Sequence, residues 1–402
     1  MSCRFLLFGT GLGANYGCNA IVTGTERILH RSFPDSDIWL PTWSCRNIDY
    51  EKMVGKSCRI VFKGSSLGNR SIHLGRRIGE KMGIFSRRLL PYPHRLEKKV
   101  DCVLSIGGDL YTFAEKEKNW PFPYPIMDAG NEVIGRCKPY VIWCASVGPL
   151  EKAGDRLNEM TDHLKACRAV IVREQESFSY LREIIGLKDN LYLAADPAFV
   201  MESEPFVFPF LERLGEEKLL AVNFSLGPMQ HIHGNIPLET VQAKCLSLVT
   251  ELLNVLGVKV LFIPHVHGDH RLLSSIKEVL CDQYPRRVAI LPENLGAQKT
   301  KWAVSQANAL LTMRFHCSIA GFSTNTPTMI LVSTSKGAKI CREMYGNLDY
   351  ALNIKDMDTT AVISKVRRLL DNEQEIRKKL SPVCEEMKRR AFSAGDILAK
   401  IM

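Results

Sequence analysis

Short apolar runs alternate with amphipathic helical stretches along the whole of this chain, and that rhythm restricts its fold more than any other feature. In the first half the runs are "CRFLLFG", "DIWLP", "SCRIVFK", "DCVLSIGG", "PYVIWCAS", "RAVIVR" and "NLYLAADP". Between them lie helical patterns such as 19–30, 151–166 and 175–185. A strand that returns through a helix to another strand builds a parallel sheet with helices on its faces. The segment "MESEPFVFPFLERLGEEK", 201–218, interrupts the rhythm with two prolines and no clear strand, and reads as a linker. A second series follows: "LLAVNFS", "VKVLFIP", "RVAILP", "ALLTMRFH" and "TPTMILVS". At 402 residues the chain is also too long for one ordinary core.

These patterns predict an α/β fold of two doubly wound Rossmann-like domains facing a cleft. The expected boundaries are 1–203 and 204–380, with a C-terminal helix over 381–402. That is the organisation of GT-B-type transferases. In such sheets ligands bind at the carboxyl ends of strands, so motifs just after strands are the ones that matter.

Composition narrows the function classes. At 46% hydrophobic and 24% charged, the chain reads as soluble and globular, and no apolar run reaches the ~18 residues of a membrane helix. The opening "MSCRFLLFGTGLG" has too short an apolar segment for a signal peptide, which predicts a cytoplasmic protein. Thirteen dispersed cysteines without a C-x-x-C pair argue for reduced thiols rather than disulfides or a thiolate zinc site. The net charge of +10 is concentrated: between Lys52 and Lys99, thirteen Lys/Arg accompany only Glu80 and Glu97. A solvated face accounts for this, as does a surface facing an anionic membrane or a phosphorylated substrate. Nucleic acid is disfavoured, because no aromatic-rich basic module accompanies the charge.

Four post-strand motifs carry polar groups suited to chemistry. "GTGLGANYGCNA" is a glycine-rich strand-to-helix turn suited to an anion or a close-packed sugar. It fits the dinucleotide fingerprint only formally, since Asp35 and Asp37 precede the second strand instead of ending it. "SIGGDLYT" places Asp109 at a strand end, where it serves either sugar hydroxyls or a turn cap. "AVIVREQES" ends a strand in Arg173, which suits a carboxylate, a phosphate or a surface ion pair. In "LLTMRFHCSIAG" an extended reading puts Arg314 and His316 on one face, with small residues including Ser318 opening the next helix. A cation, an imidazole and a helix N-terminus then converge.

"FIPHVHGDHR" spells a fifth motif, His265-x-His267-x-Asp269-His270, the first ligand run of metallo-β-lactamase-type hydrolases. Such sites need further histidines from later strands, and only His316 follows His270. A zinc hydrolase is therefore the least favoured reading, and no metal is expected.

Taken in order, the motifs resemble those of the polysaccharide pyruvyl transferase family. The resemblance rests on Asn15-x-Gly17-Cys18-x-Ala20, "IGGDLY", "SVGP", "VREQES", "ADPAF", "IPH" at 263–265, "RFH" at 314–316, the proline of "TPTMIL", and Lys336. Cys18 stands where many members have aspartate. The resemblance implies transfer of a pyruvyl group from phosphoenolpyruvate to a sugar of a cell-surface or exopolysaccharide glycan, as a cyclic ketal, without a cofactor. It further implies His316 as general acid, and Arg314, Arg173, Lys336 and Ser318 around the donor. Asn15, Gly17, Asp109 and His265 would face the acceptor, with domain 1–203 on the acceptor side and 204–380 on the donor side. A lipid-linked, diphosphate-bearing acceptor would account for the basic segment 52–99 through contact with the inner membrane face. Two alternatives stand beside this: a GT-B glycosyltransferase using a nucleotide sugar, and a non-catalytic glycan-binding or assembly protein.

Overall fold

The computed structural model describes residues 3–10, 15–42, 58–62, 96–113 and 123–402. Most of the basic segment 52–99, and Gly11, Gly13 and Ala14 of the first motif, lie outside the described residues. The chain divides into two compact units, 1–13 with 21–197 and 389–402, and 14–20 with 198–388. The main boundary thus falls at 197/198, a few residues before the expected linker, and the last turns of the final helix group with the first unit.

The first unit is a seven-stranded sheet: β1 (Arg4–Phe8), β2 (Asp37–Thr42), β3 (Cys58–Phe62), β4 (Cys102–Ile106), β5 (Tyr140–Ala145), β6 (Ala169–Val172) and β7 (Leu191–Leu193). The order is β3-β2-β1-β4-β5-β6-β7, with every pairing parallel. Every residue of β4 and β5 is buried, as expected for strands covered on both faces by helices. The helices used below are α1 (Tyr16–Ser32), α2 (Tyr124–Gly135) and α3 (Leu157–Ala166). The helical pattern at 175–185 runs as α-helix to Ser179 and continues as a π turn over Tyr180–Ile184.

The second unit holds six parallel strands: β8 (Leu219–Asn223), β9 (Lys259–Phe262), β10 (Val288–Ile290), β11 (Ala309–Thr312), β12 (Thr328–Val332) and β13 (Ala351–Asn353). Their order is β10-β9-β8-β11-β12-β13. Its longer helices are α4 (Leu226–His233), α5 (Leu238–Leu256), α6 (His267–Gln283), α7 (Ala297–Ser305), α8 (Phe315–Phe322), α9 (Ser335–Tyr345), α10 (Thr359–Asp371) and α11 (Glu373–Ile401). The final helix therefore starts eight residues before the expected 381. β13 has no counterpart in the sequence reading: it is three residues long and only partly buried.

Winding reverses between β1 and β4 in one sheet and between β8 and β11 in the other. At such switch points the outgoing loops diverge and leave room beyond the strand ends. The glycine-rich and "RFH" motifs lie at these two places. At the first, Gly9 and Gly107 adopt φ of 109° and 138°, and a Cβ on Gly9 would lie 2.5 Å from Leu110. No helix among the described residues is long and apolar enough to cross a membrane.

Candidate active site

The second unit holds seven of the nine sequence-predicted site residues: Asn15, Gly17, His265, Arg314, His316, Ser318 and Lys336. β11 stops at Thr312, whose Oγ accepts the Arg314 N–H at 3.0 Å and donates to Asn223 Oδ1 at the end of β8, also at 3.0 Å. Thr312 thereby ends the strand, and the extended reading of Arg314 and His316 is corrected. Arg314 is the N-cap of α8, with φ −106° and ψ 129°, and His316 lies within the helix's first turn. Cation and imidazole nonetheless act on a common neighbour. Burial, then His316, then Arg314 push the His265 imidazole down to about 3, so it is neutral near pH 7.

The opening motif forms the seat of His316. Asn15 caps α1, its Oδ1 accepting the Gly17 N–H at 3.0 Å. Asn15 also bridges Val266 in antiparallel fashion, and the Tyr16 N–H donates to the His265 carbonyl at 3.0 Å. The Tyr16 and His265 rings meet edge-on at 5.9 Å. Gly17 then lies directly against His316: a Cβ there would fall 2.5 Å from Nδ1 and 2.7 Å from Cγ. Only glycine fits.

Beneath Arg314 sits Asp269, 1% exposed. Its carboxylate accepts from Ser225 Oγ, from Asn223 Nδ2 at 3.2 Å, and from the N–H groups of His265 and Val266 at 3.1 Å each. The last of these is half a capping box for α6; Val266 has no side-chain acceptor to complete it. Arg314 Nη2 lies 3.6 Å from Oδ1, and Arg314 Nε is buried without a hydrogen-bond partner. The sequence reading missed Asp269 as a structural acceptor, because the spelling of a metal motif concealed it. The motif's histidines diverge: His265 is buried, His267 is exposed and pairs with Glu293 at 3.6 Å, and His270 meets Ser274 at 3.3 Å. Among the described residues no group of three or more His, Cys, Asp or Glu is placed to hold a metal ion.

Ser318 does not present its hydroxyl outward. It is fully buried and donates to the Phe315 carbonyl one turn earlier, at 2.6 Å. Lys336 lies in the first turn of α9, after β12.

Arg173 and Asp109 belong to the first unit. Arg173 is 3% exposed, and every guanidinium nitrogen is engaged. Nη1 donates to Asp196 at 2.6 Å, Nη2 to Asp109 at 2.9 Å and Nε to Ser146 at 2.9 Å, with Glu174 at 3.4 Å. Burial alone would lower its pKa, but Asp196, Asp109 and Glu174 more than reverse that and raise it. A Cβ on Gly108 would collide with this guanidinium, which explains the second glycine of "IGGDLY". The partners sit just past the ends of β4, β5, β6 and β7, so one cation ties four neighbouring strand ends. Asp196 and Glu174 had no assigned role in the sequence reading; their position just after strands was the available signal.

The sequence model of polysaccharide pyruvyl transferase matches residues 15–335. The chain belongs to this family. The match begins at the Asn15 cap and ends just before Lys336. For this pyruvyl transferase family member, no curated protein is similar enough in sequence to match. Solved structures share its fold along nearly its full length. UDP-glucose:anthocyanidin 3-O-glucosyltransferase in complex with UDP aligns with TM-score 0.59 and 11% identity, over 100% of this chain and 99% of that one. The S. aureus MnaA–UDP co-structure gives 0.58 and 12%, over 99% and 94%. UDP-GlcNAc 2-epimerase from Neisseria meningitidis, bound to UDP-GlcNAc, gives 0.56 and 12%, over 99% and 98%. At these identities the likeness concerns the fold, which is GT-B-like.

Proposed function

We propose that this family member transfers the pyruvyl group of phosphoenolpyruvate to two hydroxyls of one glycan sugar. The observation that carries this reading is the pairing of Arg314 and His316 at the start of α8, beside a switch point. Arg314 has N–H donors unsatisfied by protein, as a guanidinium meeting a donor carboxylate or phosphate requires. His316, seated on Gly17, supplies an imidazole, a side chain suited to general acid–base work.

In this scheme His316 protonates the donor's methylene carbon, leaving the adjacent carbon electrophilic. One sugar hydroxyl attacks that carbon and loses its proton. The carbon–oxygen bond to phosphate breaks, and the second hydroxyl closes the ketal. Of the two hydroxyl protons, one balances that in the new methyl group and the other leaves with hydrogen phosphate. Arg314 and the N-terminus of α8 stabilise charge on the departing group, and Lys336 adds to it. Arg173, whose donors are all engaged, presents Asp109 to acceptor hydroxyls. The neutral His265 supports the turn on which Tyr16 and Gly17 rest. A lipid-linked, diphosphate-bearing acceptor suits the basic segment 52–99; co-sedimentation with anionic vesicles at low salt tests that part, and no binding removes it.

The experiment is phosphate release from phosphoenolpyruvate in the presence of glycan panels, run in D2O. One deuterium in the ketal methyl group supports carbon protonation, and His316→Ala should abolish turnover. Release of UDP from nucleotide sugars would support a glycosyltransferase instead.

A further inference from the structure

The scheme above gives Asp269 no task, yet it is the most heavily bonded carboxylate in the second unit's site. Its donors come from the end of β8 (Asn223 and Ser225) and from the turn after β9 (His265 and Val266). All of them are neutral. The cation within ion-pair range among the described residues is Arg314, at 3.6 Å. A buried carboxylate is tolerated only where charge and hydrogen bonds compensate it, so Arg314 is tied to this spot electrostatically. At that distance the tie is not a hydrogen bond. The guanidinium is held in place while its N–H groups stay available, unlike Arg173, whose nitrogens are all engaged. Gly227 in the first turn of α4 lies beside the Arg314 guanidinium, and a Cβ there would sit at ordinary contact distance, 3.6 Å from Arg314 Nη2.

We propose that Asp269 is a positioning residue, which anchors the Arg314 guanidinium by charge and fixes the 265–266 turn, so that Arg314 offers its free donors to an anionic substrate group. The identity of that anion as phosphoenolpyruvate rests on the reading above; the anchoring does not. Ser225 matters because its hydroxyl shares Oδ1 with Arg314. Without it, the guanidinium would be drawn closer to the carboxylate.

Two measurements separate the parts. First, the full chain is labelled with phenylglyoxal in the absence of ligand, and arginine modification is followed peptide by peptide by mass spectrometry. Asp269→Asn should speed Arg314 modification several-fold while Arg173 keeps its wild-type rate, which reports an intact fold. Ser225→Ala should slow Arg314 modification, the opposite sign. If Asp269→Asn fails to fold, seen as faster Arg173 labelling, Ser225→Ala decides alone. An unchanged Arg314 rate in a folded variant overturns the proposal. Second, calorimetry measures phosphoenolpyruvate binding to wild type, Asp269→Asn, Arg314→Gln and the double variant. Asp269→Asn should weaken binding by about tenfold, with little further loss in the Arg314→Gln background. Additive losses would mean that Asp269 does not act through Arg314. Wild type that fails to bind phosphoenolpyruvate sinks the pyruvyl-transfer reading but leaves the labelling result standing.

Discussion

Gly17 supports the His316 ring so closely that a single methyl group would lie 2.5 Å from Nδ1. The contact links the first turn of α1 to the first turn of α8, and it gives a mutation whose effects on stability and activity separate. Alanine inside a helix normally stabilises by about 1 kcal/mol over glycine. Gly17→Ala is therefore expected to change the melting temperature little, the helix gain offsetting the clash. Displacing His316 should cut kcat by roughly 10²-fold. Equal activity in the two proteins would remove His316 from the reaction.

Arg173 offers the reverse separation. Replacing it with Met leaves Asp196 and Glu174 largely buried without their cation. Breaking a buried charge cluster from one side costs about 3–5 kcal/mol. Urea denaturation of Arg173→Met should show that loss, and adding Asp196→Asn should recover part of it. Arg173→Lys is not expected to substitute, since a point charge cannot reach three acceptors in a fork geometry.

Acid should destabilise the chain before any carboxylate is considered. Burial lowers His163, between α2 and β5, to about 4, and His265 to about 3. An unfolded histidine takes up its proton near 6.5, so between that pH and the folded values the unfolded state binds more protons. The stability these neutral histidines confer is complete above pH ~6.5 and declines as pH falls toward 4, by roughly 3 kcal/mol for His163 alone. Melting curves from pH 7.5 to 4.5 test the sign. Unfolding temperatures that rise on acidification would refute it.

Asn15→Ala removes the cap that receives the Gly17 N–H. A cost of about 1 kcal/mol is expected, with faster hydrogen exchange confined to the first turn of α1. Loss of protection throughout α1 would contradict a role limited to capping.

The strands were legible where burial is two-sided. "CVLSI" and "YVIWCA" are wholly buried, and their continuous apolar character announced them. β13 was not, because three residues, two half-buried and one exposed, carry no periodicity. The "RFH" motif was placed correctly but in the wrong local structure. No glycine or proline marks the strand end there, and what stops β11 is the Thr312 hydroxyl, a contact invisible to spacing. The histidine-rich run spells a metal motif that the rest of the chain does not complete, and its local geometry shows a related effect. It straddles a turn and a helix start, so residues adjacent in sequence face different surroundings. Arg173 reads as a ligand grip in sequence because its contacts with Asp196, 23 residues on, and Asp109, 64 residues back, are not visible in spacing.

The Arg173 cluster does for the first unit what a disulfide does elsewhere: it cross-links strand ends, but without a covalent bond. Such a tie holds four loops at once, where a cystine would join two. Those loops can then diverge in sequence while their roots stay fixed, provided that the arginine and its carboxylates change together or not at all.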